Sequence, residues 1–215
     1  IVVRSAQVLY YDCTNFFFEI EEAEGLKQYG KSKEHRPNPI VQMGLFLDGN
    51  GIPLAFDLTP GNTNEQKTLL PLEKRIMRDF ELSKLVVCTD AGLSSKTNRS
   101  FNSFANRAYV TVQSLKKLKQ HLRDWALDPQ AWHLNGSSTV FNLNEIDLED
   151  NTAVYTKERW IHENGLEERL IISFSPKYKR YQETIRGRQI ERACHQIEVK
   201  APARSAKNPN DPARF

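Results

Sequence analysis

The order of local signals along this 215-residue chain predicts an α/β fold: a mixed sheet flanked by helices, with a β-rich insertion late in the chain. Three observations carry the prediction. The run LYYDCTNFFFEIEE (9–22) is an aromatic strand, and a hairpin signal, Asp48-Gly49-Asn50-Gly51, follows it between two apolar runs. Strand and helix patterns then alternate to residue 115, and beyond that point strand patterns return around an Asn164-Gly165 turn.

The elements can be justified in order. Tyr10, Tyr11, Cys13, Phe16, Phe17 and Phe18 give the first strand its propensity. The prolines and charges of GKSKEHRPNP (30–39) argue for an irregular loop. IVQMGLFLDGNGIPLAFDLTPGN supplies strands two and three, so the first three strands are expected to be consecutive and antiparallel. In TNEQKTLLPLEKRIMRDF, Thr63 or Asn64 caps a helix whose Leu69, Leu72, Ile76 and Phe80 recur at helical spacing, with Pro71 tolerated in its first turn. Leu85 to Cys88 is a short buried strand ending at Asp90 and a glycine; SSKTNRSFNSFAN opens a helix on a serine, and AYVTVQSL returns as a strand. Strand, strand, strand, helix, strand, helix, strand is the order of a ribonuclease H-like domain. Residues 1–115 are expected to form that core, 116–176 a β-rich insertion, and 177–215 a basic helix and loop leading back to the rest of the core. The last stretch, APARSAKNPNDPARF, has little to bury and reads as a mobile loop.

Composition narrows the classes. At 39% hydrophobic the chain can build a full core, and no run is long and apolar enough to span a bilayer. No basic-then-apolar leader is present, and a start at Ile1 suggests a segment of something larger. Cys13, Cys88 and Cys194 form no CxxC pair and are odd in number, so neither a disulfide framework nor a zinc site is indicated and a reducing cytoplasm is expected. The five histidines show no metal-ligand spacing. The net charge of +3 is uneven: residues 176–215 carry +6 and residues 1–175 carry −3. The basic end is either a polyanion contact or a solvated helix.

Asp12 raises the main chemical question, because a carboxylate in an apolar strand must be hydrogen-bonded, neutralised or bound to a cation. In the expected fold the first and fourth strands are neighbours at the sheet centre, which brings Asp12 beside Asp90. Two close carboxylates repel, and Mg²⁺ or Mn²⁺ lets both stay ionised. Such a pair suits in-line attack on a phosphodiester with two metal ions. Cys13 alternates away from Asp12 into the core. Asp48 and Asp57 are explained by the hairpin turn and a strand's polar side, and Thr14 and Thr89 are neighbouring hydroxyls.

YYDCTNFFFE, YGKSKEHRPNPIVQMGLFLDGNGIPLAFDLTPGNTNEQKTLLP and VVCTDAGLSSKTN together resemble the DDE transposases of bacterial insertion sequences, in the branch with a β-rich insertion before the last acid. The resemblance is close over most of the first 115 residues and loose thereafter. It implies a bacterial, nucleoid-associated enzyme that cuts double-stranded DNA at element ends and joins the ends to target DNA, acting as a homodimer with Mg²⁺ held by two Asp and one Glu. By matching motifs, Asp12 is the first acid and Asp90 the second. The third does not carry over, since no segment repeats the family's Tyr, Arg, Glu and Lys spacing after Tyr178 and Tyr181. Glu183, Glu191 and Glu198 read as solvated helix positions; the third acid is expected beyond Phe215, and the fragment is expected to be inactive alone.

Lys31, Lys33, His35 and Arg36 suit contacts to DNA phosphates, against the alternative of a solvated loop. Trp125, Trp132 and Trp160 are of a type that stacks on flipped bases, but packing explains each better. Two other readings remain: another ribonuclease H-like nuclease, which the insertion and the Gly61-Asn62-Thr63 turn disfavour, and a non-catalytic DNA-binding remnant of a transposase.

Overall fold

The computed structural model describes residues 7–199, so the terminal APARSAKNPNDPARF segment lies outside the described residues. The chain divides into two compact units: residues up to Arg123 with Asn164–Leu166, and Asp124–Glu163 with the residues from Glu167 onward.

The first unit contains a five-stranded sheet of β1 (Val8–Phe17), β2 (Ile40–Leu47), β3 (Pro53–Pro60), β4 (Leu85–Thr89) and β5 (Arg107–Thr111). Its order is β3-β2-β1-β4-β5. β1, β2 and β3 pair antiparallel, whereas β4 runs parallel to both β1 and β5. This is the expected three-stranded meander extended by parallel strands, with β1 in the middle, and the α/β fold class stands.

Alternation along β1 divides its side chains. Leu9, Tyr11 and Cys13 are buried, while Tyr10, Asp12, Thr14 and Phe16 are exposed. The buried set joins Phe46, Leu85 and Val87 and the inward residues Leu69, Leu72 and Ile76 of α1 (Leu69–Asp79) in one apolar core. Each fully buried leucine or isoleucine there contributes about 1.5–3 kcal/mol. Tyr11 is held further by its hydroxyl, 2.7 Å from the Thr68 hydroxyl. The opposite face is open, and Tyr10, Phe16, Phe56, Leu58 and Val110 remain exposed on it or along the same strands.

The helix start differs from expectation for a local reason. Asn64 does cap, accepting from the Gln66 amide at 3.0 Å, but what it caps is a single 3₁₀ turn, Glu65–Lys67. Thr68 is already helical and spends its hydroxyl on the Glu65 carbonyl, so α1 begins one turn later, with Pro71 in its first turn as expected. Ser95 caps α2 (Lys96–Asn102) through the Asn98 amide.

Two glycines tie the loop of residues 30–39 to the turn after β3. A Cβ on Gly30 would lie 1.9 Å from the Gly61 carbonyl oxygen, and one on Gly61 would lie 2.1 Å from the Ile40 oxygen. The Gly61 amide donates to the Leu26 carbonyl at 3.1 Å. Backbone packed this closely leaves no room for a side chain.

The chain passes through α3 (Gln120–Leu127) where the division between the units falls. The second unit holds a four-stranded sheet of β6 (Trp132–Leu134), β7 (Val140–Phe141), β8 (Tyr155–Glu163) and β9 (Leu166–Phe174), in the order β7-β6-β8-β9. Trp132, Ala153 and Tyr155 form its core, with Phe174 edge-on to Trp132 and Phe141 edge-on to Tyr155. Trp125 and Trp132 flank the Lys157 ammonium at 5.1 and 4.8 Å, so packing accounts for both as expected. Trp160 departs from that expectation and is 61% exposed. α4 (Pro176–Glu198) follows, opening with proline at a first-turn position where its missing N–H costs nothing. Among the described residues no helix is long and apolar enough to cross a membrane.

Candidate metal centre

The β1–β4 register decides where the two aspartates lie. Parallel pairing aligns Tyr10 with Cys88 and Tyr11 with Thr89. Asp90 keeps extended backbone (φ −76°, ψ 178°), so the next step of the register sets it level with Asp12. Neighbouring strands run about 4.8 Å apart. Alternation puts both side chains on the open face, and both residues are exposed.

Each carboxylate is aimed by its own backbone. Asp12 Oδ1 accepts from the Cys13 amide at 2.7 Å. Asp90 Oδ1 accepts from the Gly92 and Leu93 amides at 3.0 and 3.2 Å, capping the turn that follows β4. The second oxygen of each, Oδ2, has no hydrogen-bond partner among the described residues. Gly92 keeps space beside Asp90, since a Cβ there would press to 3.3 Å from Oδ1 and 3.4 Å from Oδ2. Two aimed carboxylates with a spare oxygen apiece are the hard, oxygen-only donor set that Mg²⁺ and Mn²⁺ accept, with water and phosphate completing the shell. The residues present therefore fit such an ion. No group of three or more His, Cys, Asp or Glu side chains placed to hold a metal occurs among the described residues.

The surroundings sort the other candidates. Cys13 points into the core, where burial raises its thiol pKa and keeps it protonated. Asp48 is fully buried in the β2–β3 turn and accepts from the Asn50 and Ile52 amides. Asp57 lies 3.8 Å from Arg75. The Thr89 hydroxyl donates to Thr111, whose own hydroxyl bonds the Asp90 carbonyl at 3.1 Å, bracing the strand end that carries the acid.

The loop residues separate by role. Ser32 is buried and its hydroxyl accepts from the Arg36 amide, which anchors the loop. Arg36 lies over the Phe17 ring at 4.7 Å and 3.6 Å from Glu34. Lys31 and His35 are exposed. Lys33 turns back to the site: its ammonium donates to the Cys13 carbonyl and stands 4.0 Å from Asp12 Oδ1. Sequence reasoning put Lys33 in the loop but had no signal for that contact, which depends on the loop's return across β1.

The first unit is a mixed α/β sheet flanked by helices, with Asp12 in the middle of β1 and Asp90 just past the end of the neighbouring β4. Neither a family model nor a curated protein matches the chain. Among solved structures it is similar to the Mos1 transposase paired-end complex with left transposon end, at 16% identity over 51% of this chain and 35% of that one, with a TM-score of 0.34. It is also similar to the piggyBac transposase synaptic complex with hairpin DNA, at 10% identity over 79% of this chain and 33% of that one, with a TM-score of 0.38. The chain thus spans about a third of the length of each. Both likenesses are shallow, and the fold assignment rests on the strand order and directions described above.

Proposed function

We propose that this chain is the catalytic-core portion of a DDE-type DNA transposase of a bacterial insertion sequence, cutting DNA strands at element ends and transferring them to target DNA. The observation that carries the reading is the parallel β1–β4 register, which pairs Tyr11 with Thr89 immediately before Asp12 and Asp90, each of which has a carboxylate oxygen held by backbone amide hydrogen bonding. The motif resemblance around these two residues supports it.

Asp12 and Asp90 are the residues that would hold Mg²⁺ or Mn²⁺. When bound, the ions supply activation of a water or hydroxyl nucleophile and charge stabilisation at the leaving oxygen. The chain's own work is positional: the Cys13, Gly92 and Leu93 amides hold the carboxylates in place, and Gly92 keeps the space beside Asp90 clear. Two acids form an incomplete set, so the 215 residues alone are expected to bind the ions weakly and to leave DNA uncut without a third. Double-stranded DNA is the partner, with two copies of the full-length protein pairing the element ends.

The test is Mn²⁺-dependent cleavage of labelled element-end DNA by the full-length protein beside Asp12→Asn and Asp90→Asn. Both variants should lose more than the roughly 10- to 100-fold that removal of an outer hydrogen-bond partner costs a metal site. Equal cleavage by all three proteins sinks the metal-site assignment. DNA binding without cleavage in every protein favours the non-catalytic remnant.

A further inference from the structure

Lys33 is one of four cationic or titratable residues in a loop that sequence reasoning offered to DNA phosphate. Its ammonium is instead committed at both ends of a short path on β1: it donates to the Cys13 carbonyl and stands 4.0 Å from the Asp12 carboxylate. The commitment is built into the loop. The Lys33 amide donates to the Asn15 side chain at 3.3 Å, buried Ser32 pins the preceding residue, and the Gly30–Gly61 packing pins the loop's start.

A cation held there changes the electrostatics of the pair. Asp12 and Asp90 are like charges on neighbouring strands, and one ammonium beside Asp12 offsets part of their repulsion while no metal is bound. The same positive charge repels an arriving divalent cation. We propose that Lys33 is a built-in counter-ion of the acidic pair, a positioning residue that occupies Asp12 in the metal-free protein and makes metal entry weaker than the two carboxylates alone would allow. This rests on the metal-site reading given above.

The inference is tested with the full-length protein, using Mn²⁺ alone as the probe and following the free-ion electron paramagnetic resonance signal during titration. Lys33→Met keeps the aliphatic stem and removes the charge; Lys33→Arg keeps the charge. Lys33→Met should bind Mn²⁺ roughly 5- to 30-fold more tightly than the parent, the scale set by a unit charge about 4–8 Å from a doubly charged ion in a water-like dielectric. Lys33→Arg should bind like the parent, and Asp12→Asn should lose the gain when combined with Lys33→Met. Equal or weaker binding by Lys33→Met, with Asp12→Asn still deficient, overturns the counter-ion role and leaves the metal site standing. Parent-like binding by Asp12→Asn and Asp90→Asn overturns the site and this inference with it. Thermal melting of each variant without metal separates a change in affinity from a change in folding.

Discussion

Glu73 is a buried acid that the sequence places without advertising. It lies four residues after Leu69 and three before Ile76, squarely on the apolar stripe of α1, and its side chain is fully buried. Its Oε2 accepts from Asn102 at 3.1 Å, and Oε1 has no hydrogen-bond partner. Burial is the main cause that pushes its pKa up to about 7; the Asn102 hydrogen bond and the charges of Arg107 and Lys74 only partly offset it. Between the ordinary glutamate value and pH 7 the folded protein therefore holds a proton that the unfolded chain has released. Stability should fall as pH rises through this window, by about 3 kcal/mol in total, and level off above it. Glu73→Gln should remove that slope and be the more stable protein at pH 8, which urea midpoints at pH 5, 6, 7 and 8 will show. A parent and variant with parallel pH profiles would mean that Glu73 is ionised in the folded state. A polar residue on an apolar stripe was the available signal; the depth of its burial was not, because that depends on α2 bringing Asn102 against it.

At the scale of elements, the loop of residues 30–39 and the turn Gly61-Asn62-Thr63 act as one unit because their backbones touch. Gly30→Ala or Gly61→Ala must push carbonyl groups apart and should cost about 1–3 kcal/mol in thermal or urea unfolding. Gly187 is the control: it lies inside α4 with nothing near its would-be Cβ, so Gly187→Ala should stabilise by up to about 1 kcal/mol. If all three behave alike, the close approach is not the cause. The motif quality of these two glycines was legible in sequence, but the reason for it was not, since they are thirty-one positions apart and meet only because β2 and β3 fold back on β1.

For the whole molecule, charge is the property that reaches beyond local packing. The positive excess after residue 176 begins on α4, where Lys177, Arg186 and Arg188 are exposed. If this end contacts phosphate, DNA affinity falls steeply with salt, by a slope of about 0.9 for each phosphate neutralised. Arg186→Gln combined with Arg188→Gln should then reduce the slope by about 2, measured by fluorescence anisotropy from low to moderate salt. An unchanged slope would place the DNA contact elsewhere.

The sequence by itself determined the strand and helix order, the β2–β3 hairpin, the Ser95 cap and the burial of Cys13 opposite Asp12. These follow from short-range rules: turn chemistry at Asp48-Gly49-Asn50-Gly51, strand alternation and helical spacing act between neighbours in the chain. The expectation that Asp12 and Asp90 lie near each other rests on the adjacency of the first and fourth strands; that adjacency is present, with Tyr11 paired to Thr89 one residue before each acid. Tertiary structure alone decided which carboxylate oxygens are spent on backbone amides, where Lys33 places its charge, that Glu73 is sealed from water, and that Trp160 stays in it. Each of these depends on groups distant in sequence being brought within a few ångströms, and burial and electrostatics change steeply over that distance while composition does not change at all.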